Sequence, residues 1–281
     1  MKPPPFAYHA PRDLGAALRV LAEVQGAGGG KVLAGGQSLI PMLNMRLAAP
    51  AHLVDINRVA GLGGVERVPG GVRVGALARH AEVERSGAHP LLARALKLVA
   101  HPVIRNRGTV VGSLVHADPA AELPAVLAVL GGSVRVARWE GGTAVERDVP
   151  AADFFLGPME SAVGPGELAV SAFFPALGER AGCAFAEISR RHGDYALAGV
   201  CAVAAADGTA RVACFGVGPV PVVVDVSGRA PDRAAAVRAV RAAADPDDDI
   251  HATAAYRRHL VGVLAERALR EAAEEAGTGG A

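Results

Sequence analysis

Cysteine is scarce. Cys183, Cys201 and Cys214 are the only three among 281 residues, an odd number with no CxxC spacing. A disulfide framework is thereby excluded, and this chain alone has no ligand set for an iron–sulfur or zinc cluster. The three thiols read as small buried hydrophobes. Net charge is scarce as well: 29 Lys and Arg stand against 28 Asp and Glu, so no field recruits nucleic acid or an anionic membrane surface. No run approaches the roughly 20 apolar residues of a membrane span, and no signal-peptide pattern opens the sequence, so a cytoplasmic protein is expected. The familiar nucleotide signatures are missing too. No GxGxxG follows a strand, and "QGAGGGKV" lacks the first glycine of a P-loop and carries Val32 where Ser or Thr would meet magnesium. No Ser, His and acid set has the positions of an activated nucleophile. His116, Asp118 and Glu122 do not repeat a recurring metal-ligand spacing. Neither a catalytic residue nor a metal site is assigned.

What the sequence has is globular patterning for about two domains. Leu14, Leu18 and Leu21 recur at helical spacing after Asp13, which is placed to cap, and the glycines from Gly26 to Gly30 end that helix. A short strand follows over Lys31 to Leu33, then a loop, then an apolar segment whose Leu39, Met42, Leu43, Met45 and Leu47 are expected to be buried. "HLVDI" reads as a second strand. "GVERVPGGVRVGAL" reads as a hairpin turning at Pro69, Gly70 and Gly71. "HPLLARALKLVA" reads as a helix with Pro90 near its first position. In "IRNRGTVVGSLVHADPAAELPAVLAVLGG" an extended, Gly-containing segment is expected before a helix that Asp118 caps. Pro119 fits its first turn, Pro124 is a point of kinking or splitting, and Gly131 ends it. Strands are expected over "SVRVARW", "AVERDV", "ELAVSAFF", "CAFAEIS" and a pair joined at Asp207–Gly208. Helices are expected over Asp232 to Ala244 and Ala252 to Ala276. Strands and helices come in blocks without βαβ alternation, which predicts α+β. The best boundary lies around Pro175 to Gly182, giving domains over 1–176 and 177–281, the first with subdomains of about 1–57 and 58–176.

Two glycine-bearing stretches carry the chemistry. In "AGGQS" the backbone N–H groups of Gly35 and Gly36 and the Ser38 hydroxyl can converge on an anion such as a diphosphate. A tight turn without a ligand looks the same. "RGTVVGS" lies about 75 residues downstream, offers Thr109, Gly112 and Ser113 as further donors, and is followed by Asp118 and Glu122 as acceptors for ribose hydroxyls. Two such loops and two acids suit a dinucleotide.

"AGGQSLIPMLNMRLAAPAHLVDIN" and "IRNRGTVVGSLVHADPAAELPAVL" together resemble the FAD-binding medium subunit of molybdenum hydroxylases, such as aerobic carbon monoxide dehydrogenase and the xanthine dehydrogenase relatives. "RRHGDYALAGV" and "ATAAYRRHLVGVLAERAL" resemble the same family's C-terminal domain, so the likeness runs from Phe6 to about Ala272. It implies a vanillyl-alcohol-oxidase-like, PCMH-type FAD domain of two α+β subdomains. A C-terminal α+β domain with a small antiparallel sheet and helices would follow. It also implies partners, a molybdopterin large subunit and a small subunit with two [2Fe–2S] clusters, with FAD here passing electrons to NAD, a quinone or oxygen.

By the same resemblance Leu33, Ala34, Gly35, Gly36, Gln37, Ser38 and Leu39 would wrap the FAD diphosphate. Thr109, Val110, Val111, Gly112 and Ser113 would meet the diphosphate and flavin side. Glu122 matches a carboxylate that holds the adenosine ribose, with Asp118 beside it. Tyr195 matches an aromatic residue near the isoalloxazine, with Asp194 as a polar contact. Two positions depart from the family pattern: Gln37, where His or Thr is common, and Val111, which replaces the first of two paired glycines. A β-branched residue there resists positive φ and fills space the flavin needs. A free-standing flavoenzyme and a member that has lost FAD therefore stay open beside the electron-transfer subunit.

Overall fold

The computed structural model describes residues 2–228 and 232–278. Positions 279–281, the tail of the expected second domain, lie outside the described residues, as do Met1 and 229–231. The chain begins with β1 (Ala7–His9), α1 (Leu14–Val24), β2 (Gly30–Leu33), α2 (Leu39–Asn44) and β3 (His52–Asp55). Asp13 caps α1, its carboxylate accepting from the Ala16 N–H at 2.8 Å. The three strands make a parallel sheet in the order β1-β3-β2, so the carboxyl end of β2 feeds directly into the 34–38 loop.

The hairpin β4 (Val65–Val68) and β5 (Gly71–Gly75) leads into five short helices. These are α3 (His80–Ser86), α4 (Pro90–Leu96), α5 (Pro102–Arg105), α6 (Val110–His116) and α7 (Glu122–Leu130). Next come β6 (Ser133–Glu140), β7 (Thr143–Pro150), α8 (Ala151–Phe154), the small pair β8 (Phe155–Gly157) and β9 (Glu160–Ser161), and β10 (Glu167–Pro175). The second sheet is antiparallel, in the order β4-β5-β10-β6-β7. The last part holds a four-stranded antiparallel sheet, β11 (Ala181–Ser189), β12 (Ala196–Ala205), β13 (Ala210–Phe215) and β14 (Val222–Asp225), then α9 (Arg233–Ala243) and α10 (Ala254–Thr278).

That last sheet is covered on both faces, which is why "ALAGVCAVAA" is uninterrupted in small apolar residues rather than alternating with polar ones. Ala184, Val200, Ala202, Val212 and Cys214 pack on α9 and α10, while Cys183, Cys201, Ala213 and Phe215 join the core of the first part of the chain. The bridge between the two is α7, apolar on every side and buried from Leu123 to Leu127, as a helix held between two layers must be. Across the same junction the guanidinium of Arg94 on α4 forks onto Glu275 of α10, both bonds at 3.0 Å, and Glu275 also receives the Cys183 N–H. Among the described residues no helix is long and apolar enough to cross a membrane.

Three local expectations need correction. The segment after Arg107 is not extended but forms α6: Thr109 caps it by accepting from the Gly112 N–H at 3.2 Å, and Val110 and Val111 are buried at 0% and 2% exposure. Burial of the valine pair outweighs its preference for a strand. Asp118 does not cap α7. It makes a turn, accepting from the Ala120 N–H at 2.9 Å, and Pro119 lies in that turn. Since α7 starts at Glu122, Pro124 is its third residue, where a missing N–H costs nothing, and no kink results. Finally, α2 has only six residues and turns away at Arg46, whose φ is 61°. Only its Leu43 reaches the core, while Met45 and Leu47 stand 52% and 69% exposed.

Candidate functional site

The 34–38 loop leaves β2 and crosses directly over the start of the second glycine stretch. Gly35 shows why a side chain is missing there: a Cβ would stand 2.5 Å from the Arg107 carbonyl oxygen and 2.8 Å from the Gly108 Cα. The close approach is therefore of backbone to backbone, and the two loops meet although about 75 residues separate them. Gly36 holds φ at 74°, a left-handed conformation that glycine adopts without penalty. None of the N–H groups of Gly35, Gly36, Gln37 and Ser38 has a carbonyl partner among the described residues. Backbone donors that lack a partner inside the fold require one from outside it.

Those donors border a cavity of about 520 Å³, well within the size range of cofactor sites. Ala34, Gly35, Gly36, Gln37, Ser38 and Leu39 line it from the first loop, and Thr109, Val111, Gly112 and Ser113 from the second. Glu122, Asp194 and Tyr195 complete the expected set. Leu33, Val110 and Asp118 do not line it: Val110 is fully buried in the core, and Leu33 packs its side chain beneath Gly36. Val111 sits in the first turn of α6 with an ordinary helical backbone, so the positive φ that a glycine would supply is not called for here.

The acidic end of the cavity is unusual in its protonation. Glu122 is 6% exposed, and burial, with the Asp118 carboxylate adding to it, pushes its carboxyl up to about 7. Glu187 on β11 is pushed up to about 8 by burial and by Glu122, and its Oε2 is buried without a partner. Desolvation within the cleft, and then the carboxylates of Asp118 and Glu122, raise the Tyr195 phenol, although more than half of the residue's surface faces solvent. With its carboxyl raised to about 7, Glu122 exchanges its proton near neutral pH and can donate as well as accept a hydrogen bond there.

Several lining or supporting residues have no signal in the sequence. His80 is 3% exposed and its Nε2 lies 3.0 Å from the Ser113 hydroxyl; burial lowers it to about 4, so the ring is neutral. Asn57 and Arg79 bond to the loop carbonyls of Ala34 and Arg107 from other elements, and only Asn57 falls inside a stretch that carries the family likeness. Lys31 and Met159 also line the cavity. The unpaired amides, the glycine whose Cβ would block loop contact and the buried Glu122 carboxyl fit the diphosphate and ribose of a flavin dinucleotide.

The family described as FAD binding domain in molybdopterin dehydrogenase matches residues 4–177, and CO dehydrogenase flavoprotein C-terminal domain matches residues 183–272. The chain is 39% identical over 293 residues to the 6-hydroxypseudooxynicotine dehydrogenase complex subunit alpha of Paenarthrobacter nicotinovorans, covering 98% of this chain and 97% of that one. It is 35% identical over 288 residues to the carbon monoxide dehydrogenase medium chain of Hydrogenophaga pseudoflava, covering 97% and 98%. Among solved structures, it is similar to a carbon monoxide dehydrogenase from Hydrogenophaga pseudoflava lacking the Mo-pyranopterin moiety. The TM-score is 0.88 at 33% identity, with 98% and 99% of the two chains covered. Quinoline 2-oxidoreductase from Pseudomonas putida 86 superposes with a TM-score of 0.89 at 32% identity, covering 98% and 99%.

Proposed function

Since the chain belongs to the FAD-binding medium subunits of the molybdenum hydroxylases, we propose that it passes electrons through FAD from a [2Fe–2S] subunit to an acceptor such as NAD, a quinone or oxygen. A molybdopterin subunit would oxidise the substrate in the same assembly. The observation that carries the reading is the meeting of two glycine loops, distant in sequence, at one cavity with unpaired amides. When bound, FAD supplies the redox chemistry, and the chain's own residues bind it, orient it and set what reaches it.

In this reading Ala34 to Ser38 hold the diphosphate through their N–H groups, with Leu33 and Leu39 shaping the loop's two ends. Thr109 and Ser113 add hydroxyls, and the backbone of Val110, Val111 and Gly112 sets where those hydroxyls stand. Glu122 meets the ribose, with Asp118 acting on it through charge. Tyr195 stands near the isoalloxazine and restricts access to one flavin face, and Asp194 offers a polar contact. No step demands a nucleophile or a general acid from this chain.

Purification from the native source tests both parts of the proposal. The protein should carry a flavin absorbance spectrum and travel with a molybdenum-containing and an iron–sulfur subunit. A colourless chain that stays colourless in excess FAD ends the cofactor assignment. A yellow chain that never associates with such subunits ends the electron-relay assignment alone.

A further inference from the structure

The two loops touch, yet neither is held at that distance by its own hydrogen bonds. A polar strut does so from behind. Asn57, just after β3, donates from Nδ2 to the Ala34 carbonyl at 2.8 Å, at the root of the first loop. Its Oδ1 accepts from Nη2 of Arg79 at 2.7 Å, and Nη1 of the same guanidinium donates to the Arg107 carbonyl at 2.7 Å, at the root of the second loop. Each member is itself fixed. Asp55 accepts from both the backbone N–H and the side-chain amide of Asn57, at 2.9 and 2.6 Å. The backbone N–H of Arg79 is held by Glu82 at 2.9 Å, and its main chain bridges to Thr109. The next residue, His80, donates its N–H to the Gly108 carbonyl.

We propose that Arg79 and Asn57 are positioning residues whose hydrogen bonds, in series, set the gap between the two loops and so the grip on the FAD diphosphate. The inference rests on the reading of those loops as the FAD site. The chemistry explains the residue types. A guanidinium presents two donors in one rigid plane and reaches two acceptors at once, which an ammonium on a flexible stem does not. An amide carries a donor and an acceptor on one carbon, so Asn57 passes the constraint from one loop to the other. Arg79 could alternatively act by charge alone, drawing the diphosphate in, and a lysine would then serve as well.

The test uses the full chain freed of flavin, titrated with FAD by flavin fluorescence, with ADP as competitor and the thermal midpoint of the FAD-free protein as the second readout. Arg79→Ala and Asn57→Ala each weaken FAD and ADP by about tenfold or more, the range of a charged hydrogen bond, with the FAD-free midpoint little changed. Arg79→Lys, which keeps the charge, weakens binding nearly as much as Arg79→Ala. The double variant is no worse than either single one, because a broken chain is not broken further. Wild-type affinity in Arg79→Lys, additive losses in the double variant, or affinity lost only in step with the midpoint would each overturn the proposal. Gly35→Ala separates the levels: if it abolishes FAD binding while Arg79→Ala leaves it intact, the strut is refuted and the loop site stands. A wild-type chain that takes up no FAD refutes both.

Discussion

Replacing Gly35 with alanine adds one methyl group where the two loops cross. Because Gly35 is not among the positive-φ residues, the backbone itself accepts alanine, and the consequence is purely steric. The new Cβ would lie 2.5 Å from the Arg107 oxygen, about 0.9 Å inside ordinary contact at 3.4 Å, and 2.8 Å from the Gly108 Cα of the same peptide unit. Both obstacles are main-chain atoms and have no rotamer to change. Relief therefore comes only by parting the loops, at about 1–3 kcal/mol, the usual cost of overpacking. Gly36→Ala is the internal comparison. Its φ of 74° costs about 1–2 kcal/mol in a residue with a Cβ. Its nearest neighbours, Leu33 Cδ1 at 3.1 Å and Ile40 Cγ1 at 3.2 Å, are side-chain atoms, which can yield more readily than main chain. Thermal unfolding of the FAD-free variants should show a loss in both, whereas FAD titration should show the larger loss of affinity, tenfold or more, in Gly35→Ala. If Gly35→Ala binds FAD like the wild type, the loops are not held in register by that contact and the steric reasoning is wrong.

Two further outcomes follow from the electrostatics and burial of the chain. Glu122 is raised from 4.5 to about 7, so between those values the folded protein binds more protons than the unfolded chain. Its stability should therefore fall as pH rises through that window and level off above it. Glu122→Gln should raise the midpoint of the FAD-free protein at pH 8 and change it little at pH 5, and equal effects at both pH values would refute the assignment. Cys183, Cys201 and Cys214 are buried, and burial raises all three thiols, to about 11 and 12 for Cys183 and Cys214. A chromogenic thiol reagent should titrate none of them in the native protein and three after denaturation.

Local chemistry made much of this fold legible in advance. Asp13 before an apolar period, Pro69 to Gly71 between alternating residues, and Gly131 after an apolar helix are each decided within a few residues of chain. Val110 and Val111 were not legible, because their β-branched preference points to a strand while their burial behind Thr109 makes a helix. Met45 and Leu47 look like core by type and are exposed, since a six-residue helix offers only one face. Of the cavity, the residues carried by the glycine stretches were visible. Asn57, Arg79 and His80 were not, because each meets the loops through contacts 20 or more positions away that no local spacing encodes.

The placement of α7 bears on how the molecule can be cut. Its first residue faces the cavity and the rest of it is roofed on one side by β12 and β13. A fragment ending at residue 176 would bare that greasy flank to water and clump, and any flavin-binding module lifted from this chain must bring its C-terminal third along as a cover.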